Sequence, residues 1–112
     1  MPGDEYSLRY YVTASGRRPF AEWLSSVTDR NATARIQVRL DRLRLGNFGD
    51  VRSLGKGLSE LRIDVGPGYR VYFIKGGPAT IVLLIGGDKS TQQADIPRAR
   101  DYAADYRRRK DA

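Results

Sequence analysis

Leu58 to Ile74 reads LSELRIDVGPGYRVYFI, and its period decides the fold. From Leu58 to Val65, Leu61, Ile63 and Val65 alternate with Glu60, Arg62 and Asp64, the two-residue repeat of a strand with one apolar face. Gly66-Pro67-Gly68 is a tight turn. Tyr69 to Ile74 returns, with Tyr69, Val71 and Phe73 on one face and Arg70 and Tyr72 on the other. With the three-residue turn as hinge, Val65 faces Tyr69, Asp64 faces Arg70, Arg62 faces Tyr72 and Glu60 faces Ile74. A one-residue slip would change every pair. In this register Glu60, Arg62, Asp64, Arg70 and Tyr72 project from the side opposite Leu61, Ile63, Val71 and Phe73. If helices cover the apolar side, the polar side is open to solvent or ligand.

Downstream, Gly76-Gly77-Pro78 is a second turn and Thr80 to Ile85 is apolar on both faces, as a central strand is. Gly86-Gly87 closes that strand. Ser90 or Thr91 is placed to cap a last helix carrying Ala94, Ile96, Ala99, Tyr102, Ala103 and Tyr106, and Pro97 moves its start later. Residues 107–112 read as a solvated basic tail. Upstream, Tyr6 to Thr13 reads as a strand. Pro19 opens a short helix to Val27, with Phe20, Trp23 and Leu24 at helical spacing. Thr28 or Asp29 caps a second helix. Ala32, Ile36, Leu40 and Leu43 form its buried stripe, with Arg35, Arg39 and Arg42 toward another face. Gly46 to Gly57 reads as a loop. The order is β-α-α-β-β-β-α: an α+β fold of two layers, a small antiparallel sheet packed against a helical hairpin, with a C-terminal helix.

The 112 residues fit one domain spanning 1–112. Twenty Lys and Arg against 13 Asp and Glu give a net charge of +7, which attracts polyanions: nucleic acid first, an acidic protein segment second. A well-charged soluble surface is the plainer reading. The chain has no Cys and no His. That excludes disulfides, thiolate nucleophiles and Cys-based zinc sites, and removes the usual base near neutral pH. Acid–base chemistry then falls to Lys, Glu, Asp or Tyr. No signal peptide or bilayer-length apolar run is visible, so a cytoplasmic location is expected. No cofactor or metal is expected, and no membrane partner.

Two arginines and a tyrosine on one sheet face suit phosphate binding and base stacking. The same alternation occurs on any half-buried sheet, and Asp64 with Arg70 can be a plain cross-strand pair. Lys56, in a glycine-bounded loop, and Lys89, after the central strand, can bracket Arg62 and Arg70; for either lysine alone, solvation is the simpler account. The set fits RNA scission by the 2′-hydroxyl. Arg70 and Arg62 would stabilise the phosphorane, a lysine set among them would act as acid or base, and Tyr72 would stack on a base or donate a proton.

The stretches Gly57-Leu58-Ser59-Glu60-Leu61-Arg62-Ile63, Gly68-Tyr69-Arg70-Val71-Tyr72-Phe73 and Leu83 to Gln92 resemble the phage-derived host-killing toxins, the addiction-module killer proteins. These are similar to HigB and belong to the RelE/ParE superfamily. Pro19-Phe20-Ala21-Glu22-Trp23-Leu24, Asp95-Ile96 and Ala99 carry the likeness further, over nearly the whole chain. The resemblance implies a RelE-like fold and a toxin that is a ribosome-dependent messenger RNA endonuclease. It also implies a cognate antitoxin, often of helix-turn-helix type. It places the phosphate-binding arginine at Arg70, a second basic residue at Arg62 and the lysine after the central strand at Lys89. HigB proteins often use His; this chain has none, so the resemblance assigns no general base. The alternatives are a ParE-like inhibitor of DNA gyrase and a non-catalytic RNA-binding family member.

Overall fold

A computed structural model describes residues 5–111. Five strands and three α-helices follow in the order β1 (Ser7–Tyr10), α1 (Pro19–Ser26), α2 (Arg30–Arg44), β2 (Val51–Gly55), β3 (Leu58–Ile63), β4 (Tyr69–Gly77), β5 (Thr80–Asp88) and α3 (Gln92–Asp111). A 3₁₀ turn, Lys89–Thr91, leads into α3. The sheet order is β1-β5-β4-β3-β2, antiparallel except for β1, which runs parallel to β5. The fold is α+β, as expected, with one strand more than the sequence suggested.

The added strand is β2, inside the glycine-rich stretch expected to be a loop. It pairs antiparallel with β3 through a tight turn in which Gly55, Lys56 and Gly57 all take positive φ. β5 also runs past its expected end, through Gly86-Gly87 to Asp88. The β3–β4 register differs from expectation by two residues. Ile63 pairs with Tyr69, Arg62 with Arg70 and Glu60 with Tyr72, because Asp64 and Val65 leave the ladder to widen the turn. Two is the period of the pleat, so every side chain keeps its expected face.

Helices cover both faces, which corrects the two-layer expectation. α1 and α2 bury Phe20, Ile36, Leu40 and Leu43 against Leu61, Ile63, Val71, Phe73, Ile81 and Leu83. On the other face α3 lays the small side chains of Ala99 and Ala103 against Leu58, Tyr72, Ile74, Val82 and Leu84. α2 is capped by Asp29, whose carboxylate accepts from the N–H groups of Asn31 (2.9 Å) and Ala32 (3.3 Å). Ser90 and Thr91, expected to cap the last helix, lie in the 3₁₀ turn that leads into it, and that turn is capped by Asp88 in a reciprocal box with Thr91. Pro97 lies inside α3. Of the expected basic tail, residues 107–111 form the exposed end of α3, and residue 112 lies outside the described residues. Arg107 donates to the Lys56 carbonyl (3.2 Å), Arg109 to that of Val12 and Lys110 to that of Gly76.

Candidate functional site

The polar side of β3 and β4 is not an open face. α3 roofs its middle, and Glu60, Arg70 and Tyr72 are all buried. The ladder sets Arg62 directly opposite Arg70, an unfavourable pairing of like charges that the Glu60 carboxylate relieves. Glu60 is 1 % exposed. Its Oε1 accepts from Arg62 Nε at 3.0 Å and lies 4.0 Å from Arg70 Nε, and its Oε2 accepts from Gln92 Nε2 at 2.7 Å. Arg70 also donates to its neighbour's carbonyl at Tyr69 (3.1 Å), while its Nε has no hydrogen-bond partner among the described residues.

Beyond the edge of α3 the two arginines emerge into a groove of about 430 Å³, walled by Arg62, Arg70 and Lys89 together with Asp50, Asp64 and the Gly66-Pro67-Gly68 turn. The Lys89 N–H donates to the Gly68 carbonyl at 2.9 Å, tying the wide turn to the start of the 3₁₀ segment. At Gly68, with φ +82°, a side chain would approach both Arg70 and Lys89, so the turn's backbone runs close beside the two cations.

Three of the six expected site residues, Arg62, Arg70 and Lys89, therefore meet around one space, and Glu60 braces two of them from below. Tyr72 does not join them. It is fully buried, opposite Glu60 and beneath α3, so its ring neither stacks on a solvent-borne base nor passes a proton to one. Burial, and then the Glu60 and Asp95 carboxylates, push its hydroxyl well above the ordinary tyrosine range, and that hydroxyl has no hydrogen-bond partner among the described residues. Lys56 does not bracket the groove either. It sits at the tip of the β2–β3 turn, beside Arg100 and Arg107, whereas Arg62 lies at the open end of that hairpin. Asp64 lines the groove from the turn rather than pairing with Arg70 across the ladder.

Asp50, Gln92 and Arg39 were missed in the sequence. Asp50 arrives with the unexpected β2; its carbonyl accepts from the Arg62 N–H at 2.9 Å. Arg39 of α2 donates to the Arg62 carbonyl at 2.8 Å, so one helix arginine fixes the backbone that carries a groove arginine. Nothing in the local pattern marks Gln92, whose role depends on where α3 lands. Among the described residues no group of three or more His, Cys, Asp or Glu side chains is placed to hold a metal ion. No described helix is long and apolar enough to cross a membrane.

No family model matches the chain. It is 49% identical over 81 residues to an uncharacterized protein of Haemophilus influenzae, an overlap of 72% of this chain and 82% of that protein. At that identity and coverage, the chain belongs to the same family as the Haemophilus influenzae protein.

Proposed function

We propose that the protein is the toxin of a toxin–antitoxin pair of the RelE/ParE type, a metal-independent endoribonuclease that cuts messenger RNA on the ribosome. One observation carries this: Arg62, Arg70 and Lys89 converge on a single open groove. In the reaction the 2′-hydroxyl oxygen bonds to the adjacent phosphorus as the bond to the 5′-oxygen breaks. The products are a 2′,3′-cyclic phosphate and a 5′-hydroxyl end. Arg70 and Arg62, held by Glu60, neutralise the charge that builds on the phosphorane. Lys89, exposed at the rim, exchanges the protons between the attacking and leaving oxygens. With Tyr72 sealed under α3 and no His in the chain, proton transfer contributes little, and most of the acceleration comes from charge and alignment. Ribosomal RNA supplies the alignment. The partners are then messenger RNA, the ribosome and a cognate antitoxin of helix-turn-helix type whose acidic segment covers the groove. The setting is the cytoplasm.

The test is cleavage of one message, naked and in a programmed ribosome, by the parent protein and by Arg70→Gln and Lys89→Ala. Cleavage confined to ribosomes and lost in Arg70→Gln is expected. Equal rates with and without ribosomes would defeat the alignment argument. A second reading, an RNA-binding module without catalysis, draws on the two acids Asp50 and Asp64 in the same groove. It predicts ribosome binding with no scission.

A further inference from the structure

A second cavity, of about 360 Å³, lies between α1 and α3 on the other side of the Asp88-Lys89 step. Three features of its construction have no part in the groove. The pairing of β1 with β5 ends at Tyr10 and Leu83, followed by one bond from the Tyr11 N–H to the Leu83 carbonyl (3.0 Å). Past that bond β5 continues to Asp88 with no strand on its β1 side among the described residues, so alternate backbone groups face the cavity. Next, Gly86 and Gly87 strip the sheet of side chains there. The Trp23 indole fills the place of a side chain at 86 on one face, and the Asp95 carboxylate that at 87 on the other. Last, Asp95 is 8 % exposed, and among the described residues its carboxylate accepts a single hydrogen bond, from the Thr91 hydroxyl to Oδ2. Tyr102, stacked on Tyr11 at 4.8 Å, forms another wall, and Arg98 stands exposed at the mouth.

We propose that this cavity is a nucleobase subsite, which takes the base beside the phosphate held at Arg70 and Lys89. The inference deepens the ribonuclease reading and rests on it for the identity of the strand. Asp88 lines the cavity and the next residue, Lys89, lines the groove, so the two spaces are neighbours at one step of the backbone. Aromatic walls with a bare strand edge between them accept a flat heterocycle. A carboxylate accepts hydrogen bonds and, when ionised, donates none, so Asp95 selects bases that present donors. Guanine offers two, its ring N–H and its amino group. Adenine and cytosine offer one amino group each. Uracil presents one N–H flanked by two carbonyls that the carboxylate repels. Thr91 and Asp95, one helical turn apart, also make a favourable start to α3. That role alone accounts for glycine at 87, which makes room for Asp95, but it does not require an open strand edge between two aromatic rings.

Trp23 is the chain's one tryptophan and lies in the cavity wall, so its fluorescence reports occupancy. The intact protein is titrated with GMP, AMP, CMP and UMP. Saturable quenching is expected, with GMP at least about fivefold tighter than UMP. Asp95→Asn, which adds a donor, should bring GMP to the UMP level. Arg98→Gln, at an exposed position, should weaken all four nucleotides and keep their order. No saturation by any nucleotide up to roughly 10 mM overturns the proposal. So does equal affinity for all four, or an order that Asp95→Asn does not move. If Asp95→Asn fails to fold, the parent's order decides. The GMP preference without cleavage on programmed ribosomes would sink the ribonuclease reading and leave the base site standing; cleavage without the preference would do the reverse.

Discussion

Glu60 decides the geometry of the groove. Its carboxylate sits where two guanidinium groups meet across the ladder, with Gln92 closing the far side. Glu60→Gln should leave Arg62 and Arg70 facing each other uncompensated. A loss of about 2–4 kcal/mol is expected in urea unfolding, with an unchanged slope, together with loss of cleavage. A variant within about 0.5 kcal/mol of the parent would show that Glu60 does not hold the arginines. Its place on the polar side of β3 was legible from alternation alone. Its burial was not, because burial depends on α3, whose landing site no local pattern encodes. Tyr11 gives a second test. Burial, and then the Asp105 carboxylate that its hydroxyl donates to at 2.5 Å, push its ionisation up to about 12. The folded state therefore holds this proton more tightly than the unfolded chain, whose tyrosines titrate near 10. Stability from this group is full below about pH 10 and is lost as pH rises toward 12. Tyr11→Phe should flatten the fall in unfolding midpoint over that window. An identical fall in parent and variant would remove Tyr11 as its source.

The meander β3–β4–β5 and helices α1 and α2 were legible because each has a clear period, and even the two-residue error in register kept every face. β2 was not: three consecutive positive-φ residues, Gly55, Lys56 and Gly57, look like loop in sequence but build the turn of a hairpin. The glycine pair hides its structure for a related reason. Gly86-Gly87 looks like a strand terminator, yet β5 runs through it, because the space stripped from the sheet is taken by Trp23 from α1 and by Asp95 from α3. Gly86→Ala and Gly87→Ala should each displace a helix and cost about 1–3 kcal/mol by overpacking. Gly86→Ala should also shift the emission of Trp23, which lies against it. Unfolding midpoints equal to the parent's would mean that the helices do not rest on these positions. The last turn of α3 is solvated, as expected, but it is not a free tail, since Arg107, Arg109 and Lys110 bond back to three separate segments. Ending the chain after Tyr106 should lower the thermal midpoint by a few degrees, where a free tail would leave it unmoved.

For the molecule as a whole, the sandwiched sheet moves the functional surface from a face to an end. The sequence separates an apolar side from a polar side of β3 and β4, but a second apolar set, Leu58, Ile74, Val82 and Leu84, lies among the polar residues and draws α3 over them. What stays accessible is the end where the β3–β4 turn meets Lys89. There the net charge of +7 acts on a nucleic acid through few residues, which sets a quantitative expectation. Each phosphate neutralised on a single strand contributes about 0.7 to the slope of log affinity against log salt. Three groove cations give an upper bound of about 2. Glu60 matches much of the charge on Arg62, so the slope for naked single-stranded RNA should lie between about 1 and 2. Lys89→Ala should reduce it by about 0.7. Arg35 and Arg42 line a neighbouring cavity on α2 that shares Asp64 with the groove, so a longer track would steepen the slope. Affinity measured across a salt series for the parent, Lys89→Ala and Arg35→Ala separates the two. A slope that Lys89→Ala leaves intact and Arg35→Ala flattens would move the phosphate contacts off the groove and onto α2, and the assignment of Arg70 and Lys89 to the scissile phosphate would fall with it.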